Sequence, residues 1–268
     1  DQNSFDLFTE KLLYEAKIYF ALLNYQDDLW KNEKDISEML AEINYLNFEQ
    51  HLPMFLSSYI KLFSTNKDKF KLLIKTYITF AVRRQIFMHK NPSEFEEQYS
   101  KWAVRIRQHP DKIDEIIAEL KQEISKTGSI TEQIKRGAEF KDKQSKYILW
   151  KVNDALSSTS LTKCWKNDPT LEHIIPKSPD TWWQTLITAK KINHEETVGR
   201  LGNLTLLGDK ENSGLGNINY PDKLKKYTET KLPLNLETFK NINDFGLDEI
   251  KKREEIIAKI ITDNHIWE

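Results

Sequence analysis

Cysteine, glycine and proline are all scarce in this 268-residue chain: one Cys, eight Gly and eight Pro. The lone Cys164 excludes an intramolecular disulfide, a Cys-x-x-Cys redox pair and a thiolate zinc cage, and a reducing cytoplasm is the expected home. Long apolar runs are missing as well. Stretches such as Ile116 to Ala118 or Ile256 to Ala258 fall far short of the roughly 20 residues that span a bilayer, and no apolar segment follows a basic start, so membrane and secretory classes drop out. There is no excess charge of one sign: 40 Lys and Arg against 41 Asp and Glu leave a net charge of −1. That balance excludes a chain-wide basic footprint and confines any nucleic-acid contact to a local patch. No repeat of 20 to 50 residues recurs, which argues against a solenoid, and no Walker A sequence occurs, which argues against nucleotide hydrolysis.

Apolar residues are nonetheless plentiful, 39% hydrophobic and 11% aromatic, enough to offset chain entropy in a globular fold. The chain opens on Asp1-Gln2-Asn3 rather than Met, so an excised piece of a longer protein or a processed product is expected. Texture divides the sequence. From Phe5 to about Ser157, apolar residues recur at three- and four-residue spacing, as in Phe70, Leu73, Ile74, Tyr77, Ile78 and Ala81. That spacing predicts amphipathic helices, seven or eight of them, separated by Asn91-Pro92-Ser93, His109-Pro110-Asp111 and Lys126-Thr127-Gly128-Ser129. After the Ser157-Ser158-Thr159-Ser160 stretch, read as a linker, the pattern becomes mixed. Thr170 to Ile175 and Leu204 to Leu207 read as short strands, with a helix over Asp180 to Lys191 between them. Two more helices are expected around Asp222 to Glu229 and from Leu247 to about Thr262. The expected fold is mainly α: a helical domain over 1–158, then a small α+β domain over 159–268.

The residues with chemical potential concentrate in that second part. Glu172-His173 closes the first strand, Asn203 precedes the second, and Asn212 follows nine residues later in a polar, glycine-rich stretch. Phosphodiester hydrolysis needs a deprotonated water, a divalent cation to take up charge, and rigid placement of both. A neutral His is a fitting general base near pH 7, and carboxylate and amide oxygens are hard ligands suited to Mg²⁺. Each residue also has an ordinary reading: a strand-end Glu-His pair held by hydrogen bonds, or a turn or helix cap at Asn212.

Leu171-Glu-His-Ile-Ile-Pro176, Leu201-Gly-Asn-Leu-Thr-Leu-Leu207 and Asn212 resemble the HNH, or ββα-metal, nuclease motif. This version is similar to the C-terminal nuclease domain of GmrSD-type modification-dependent (type IV) restriction endonucleases. Asn217, Tyr220, Lys223, Tyr227, Arg253 and Trp267 extend the resemblance, and Thr79 to Phe87 resembles an arginine-containing helix of the region that precedes such domains. The resemblance implies a DNA endonuclease using Mg²⁺ or Mn²⁺, with His173 as general base, Glu172 and Asn212 as metal ligands, and Asn203 as the side chain that orients the His173 loop. It also implies partners: DNA, including modified phage DNA, and an N-terminal module absent from this sequence. Glu172 stands where many HNH proteins carry Asp, which makes direct coordination or contact through a water the open alternatives, and Asn217 and Asn219 compete with Asn212 for the place near the metal.

Lys223, Lys225, Lys226 and Lys231 form a local basic cluster, read as a DNA contact or equally as a solvated helix face. Arg83-Arg84 and Lys101, Arg105 and Arg107 either extend a DNA track or pair with neighbouring Glu. Trp165 and Trp182-Trp183 read as packing, His194 as part of an exposed loop, and the remaining histidines carry no expected chemistry. Two rival functions stand beside the nuclease: an HNH scaffold that binds DNA without cutting it, and a protein-interaction adaptor.

Overall fold

The computed structural model describes residues 2–157, 169–208, 212, 214–230 and 232–268. Among the described residues the fold is mainly α with one two-stranded antiparallel sheet. The chain divides into two compact units, 1–128 with Trp267 and 129–266 with Glu268.

The first unit holds six α-helices: α1 (Gln2–Leu23), α2 (Lys34–Leu46), α3 (Leu52–Leu62), α4 (Lys67–Ala81), α5 (Glu96–Gln108) and α6 (Ile113–Ser125). Local signals set their ends. Asn66 accepts from the Lys69 amide and caps α4, while Pro53 occupies the first turn of α3, where a missing N–H costs nothing. The periodic residues of α4, from Phe70 to Ala81, are all buried, and α4 runs on into a π-helical turn, Val82–Phe87. Aromatic side chains fill the interior in edge-to-face pairs, such as Trp30 with Tyr59 at 5.8 Å and Phe55 with Tyr77 at 5.3 Å. His51 lies among them, 1% exposed, with neither ring nitrogen hydrogen-bonded. Burial pushes its imidazole down to about 3.

The second unit starts with α7 (Ile130–Lys135), capped by Ser129, and α8 (Asp142–Leu156). Strand β1 (Thr170–His173) pairs with β2 (Leu204–Leu207), Thr170 opposite Leu207 and His173 opposite Leu204. Helices α9 (Thr181–Ala189) and α10 (His194–Thr197) occupy the thirty residues between the strands (174–203). Helices α11 (Tyr220–Glu229), α12 (Pro233–Thr238) and α13 (Leu247–Asp263) follow. Helix α8 packs on both strands, and α7 packs on α13. The division therefore falls at Gly128, upstream of the Ser157–Ser160 stretch. Packing explains the position: Tyr147, Ile148, Leu149, Trp150 and Val152 of α8 are all buried, and the helix is covered on more than one side within this unit. No helix among the described residues is long and apolar enough to cross a membrane.

Gly202 fixes how closely α13 approaches the hairpin. An added Cβ there would lie 2.1 Å from the Ile250 carbonyl oxygen, a backbone atom that cannot swing away. Arg253, one turn further along α13, is wholly buried; its guanidinium donates to the carbonyls of Gly202 and Leu204 and to Thr238 Oγ1. The turn carrying Asn203 is thus gripped from below by a helix.

Candidate active site

Asn203 is fully buried and uses its whole amide. Oδ1 accepts from the Ile175 amide at 2.8 Å, while Nδ2 donates to the carbonyls of Ile175 and Val198, both at 3.1 Å. The Ile174 amide reaches the Asn203 carbonyl at 2.9 Å. These bonds tie the backbone just after His173 to the start of β2. In an interior that penalises unpaired polar groups, they leave that loop one conformation.

Glu172 sits opposite Thr205 with its side chain buried. Oε1 accepts from Lys223 Nζ at 2.7 Å and from Tyr227 OH at 3.3 Å. Lys223 and Tyr227 stand one turn apart on α11. The ammonium also donates to the carbonyls of His173 at 2.9 Å and Ile174 at 3.1 Å, so its three N–H groups meet three acceptors around the strand end. Burial pushes the Glu172 carboxyl up and the Lys223 ammonium down, each partly offset by the other's charge. Both shifts favour neutral forms, so withdrawal from water outweighs the attraction, and the pair holds geometry more than it adds stability.

His173 ends β1 with 13% of its side chain exposed. Burial pushes its imidazole down to about 4, Lys177 adding to the effect and Asp142 opposing it. The ring is therefore neutral at pH 7. Its Nε2 lies 3.8 Å from Asp142 Oδ1, and Asp142 in turn pairs with Lys177 at 2.6 Å. Asn212 lies at the other end of the strand: Nδ2 donates to Thr170 Oγ1 at 2.9 Å and more weakly to the Leu171 carbonyl at 3.4 Å. Glu172 shares a strand face with Thr170 by the two-residue alternation.

The structure thus gathers Glu172 with Lys223 and Tyr227, sets His173 beside Asp142, and ties Asn212 to the strand that carries both. Lys223 is a correction to the expected DNA-facing cluster: its side chain is 1% exposed and its ammonium is fully engaged, so it is withheld from phosphates. Lys225 and Lys226 are exposed, with Lys226 3.3 Å from Glu229, while Lys231 lies outside the described residues, as do Cys164 and Trp165. Asn219 caps α11 and Asn217 donates to the Ser178 carbonyl at 3.0 Å, which gives both a local structural task. His194 is also corrected: it begins α10, half-buried, its Nε2 2.8 Å from the Pro176 carbonyl. Trp183 is fully buried, whereas Trp182 is 39% exposed. Arg84, Lys101, Arg105 and Arg107 pair with Glu94, Glu97, Glu115 with Glu119, and Glu15 respectively.

Asp142 and Lys177 were the residues that sequence reasoning missed. Asp142 opens a helix 31 positions before His173 and has no motif around it. Among the described residues no three His, Cys, Asp or Glu side chains cluster. One carboxylate on β1 and one amide oxygen on Asn212, hydrogen-bonded to that strand, make the small donor set that a cation keeping most of its waters accepts, though Lys223 already shares the carboxylate.

A family model of the C-terminal domain of GmrSD restriction endonucleases matches residues 121–260, a span that takes in the end of α6, the whole hairpin and most of α13. No curated protein matches the chain. More than half of the sequence, with every residue of the candidate site, lies inside that match, and the chain belongs to the family of GmrSD restriction endonuclease C-terminal domains, with the nuclease function that this family carries.

Proposed function

We propose that the chain is a divalent-metal-dependent DNA endonuclease of the HNH type, serving restriction of foreign DNA. The observation that carries this reading is the pinned strand end: Asn203 and Lys223 together fix the backbone from a neutral, largely buried His173 through Ile175. A general base has to be neutral at working pH and held still, and both conditions are met there. His173 takes a proton from a water as that water's oxygen forms a bond to phosphorus and the bond to the leaving oxygen breaks. Glu172 and Asn212 would hold one Mg²⁺ or Mn²⁺, which supplies positive charge for the phosphate oxygens when bound. Asp142 lies where a carboxylate favours the imidazolium that forms, which makes it a positioning and electrostatic partner of His173. Lys225 and Lys226 are the exposed basic residues of α11 available to phosphates, and backbone contacts of that kind carry little sequence preference.

One observation favours a second reading, a scaffold that docks DNA without cutting: the carboxylate of Glu172 is already paired with Lys223. Supercoiled plasmid with Mg²⁺, Mn²⁺ or EDTA separates the two. Metal-dependent nicking or linearisation, lost in His173→Ala, supports the nuclease. Retained DNA binding with no conversion, together with no Mn²⁺ affinity that Asn212→Ala removes, supports the scaffold.

A further inference from the structure

Helix α1 is apolar on two sides. On one, Ile18, Ala21 and Leu22 are buried in the first unit. On the other, Phe5, Phe8, Leu12, Ala16, Tyr19 and Leu23 recur at three- and four-residue spacing, and the five large ones are 38–64% exposed. This one helix supplies nine of the thirteen large hydrophobic side chains exposed among the described residues. A surface helix needs a single apolar stripe; one whose apolar surface runs well beyond its buried side is covered there as well. With Leu13 and Phe20 beside it, the stripe's large side chains, 38–66% exposed, offer roughly 750 Å², taking about 150–250 Å² for each when fully exposed. That exceeds the several hundred Å² of an ordinary monomer's largest patch and approaches the about 800 Å² per partner of a specific interface.

We propose that the outer face of α1 is a homodimer interface, closed by α1 of a second copy packed antiparallel about a twofold axis through Leu12. The sequence is self-complementary in that register. Leu12 meets Leu12 of the copy, Phe5 meets Tyr19, and bulky Phe8 meets small Ala16, the large-against-small alternation that close packing requires. A helix of 22 residues is about 33 Å long, sufficient for the whole stripe to engage. A membrane surface fits less well: residues 4–23 carry Asp6, Glu10 and Glu15 against Lys11 and Lys17, the wrong sign for anionic lipid.

Sedimentation equilibrium of the whole chain at tens of micromolar tests this. The expected result is twice the monomer mass. Leu12→Glu, at an exposed position, leaves the circular dichroism unchanged and weakens dimerisation about 30-fold or more, the scale of an interface hot spot. In a Cys164→Ser background, Leu12→Cys cross-links to its own copy under mild oxidation, whereas Phe5→Cys does not. A monomer at every concentration overturns the proposal, as does a dimer indifferent to Leu12→Glu or cross-linked through Phe5→Cys. A monomer that co-sediments with phosphatidylcholine vesicles overturns it too, and assigns the stripe to lipid.

Discussion

Replacing Lys223 by Met keeps the unbranched apolar stem and removes the ammonium, which isolates what that group does. Three acceptors lose the ammonium: Glu172 Oε1, which keeps only the longer bond from Tyr227, and the carbonyls of His173 and Ile174. Leaving a buried carboxylate unpaired costs about 3–5 kcal/mol, and two buried carbonyls add roughly 1 kcal/mol or more between them. Lys223→Met is therefore expected to lose about 4–6 kcal/mol, a large part of the roughly 5–15 kcal/mol by which domains are stable. Glu172→Gln alone should cost less, since the ammonium keeps its two carbonyls. The combination Glu172→Gln with Lys223→Met contains no buried charge, so it should be more stable than Lys223→Met alone and depart from additivity by about 2 kcal/mol or more. Urea unfolding followed by circular dichroism gives the cycle, and plasmid nicking on the folded double variant gives the second readout. Stability is expected to return while activity does not, because the pair fixes the strand end that bears His173. A loss below about 1 kcal/mol for Lys223→Met, or a double variant as unstable as the sum of its parts, would refute the reasoning.

The Gly202→Ala variant forces a Cβ into the Ile250 carbonyl, and α13 has to retreat from the hairpin; a loss of about 3 kcal/mol or more in urea unfolding is expected, and an unchanged midpoint would show that the approach is not tight. His51 adds an acid sensitivity to the first unit. The folded chain keeps it neutral down to about 3 whereas the unfolded chain protonates it from 6.5, so its contribution is present above pH 6.5 and declines by about 1.4 kcal/mol per pH unit below that, levelling near pH 3. Unfolding midpoints for wild type and His51→Phe between pH 7 and 4.5 check the sign: the variant should lose that slope and gain stability at pH 7, since two unpaired ring nitrogens disappear, and parallel slopes would exclude His51 as the source.

Elements with a strong local pattern were legible in the sequence. The three- and four-residue spacing of Phe70 to Ala81 became α4, the β-prone Leu204 to Leu207 became β2, and Gly202-Asn203 became the turn that clamps the loop after His173. Lys223 was misread for an instructive reason. Tyr220, Lys223 and Tyr227 share one helix face at three- and four-residue spacing, and both tyrosines are buried, so the spacing already placed Lys223 inside. Its residue type suggested solvent; the Glu172 carboxylate that lets a lysine be buried lies 51 positions away in sequence. Asp142 was invisible for a related reason, since its proximity to His173 arises from α8 packing on the strands and leaves no local trace. Composition likewise placed the change of texture near Ser157, but packing draws α7 and α8 into the second unit.

The thirty residues between β1 and β2 bear on how the site comes into being during folding. A tight hairpin zips from its turn, but here the turn is itself two helices and their connections, and closing so long a loop costs about 2 kcal/mol more than closing a four-residue one. Packing of α9 and α10 has to offset that entropy, and the strand end also needs Lys223 and Arg253 from further along the chain. The site thus depends on segments spread from Glu172 to Arg253, and a locally unfolded molecule carries its residues without its geometry.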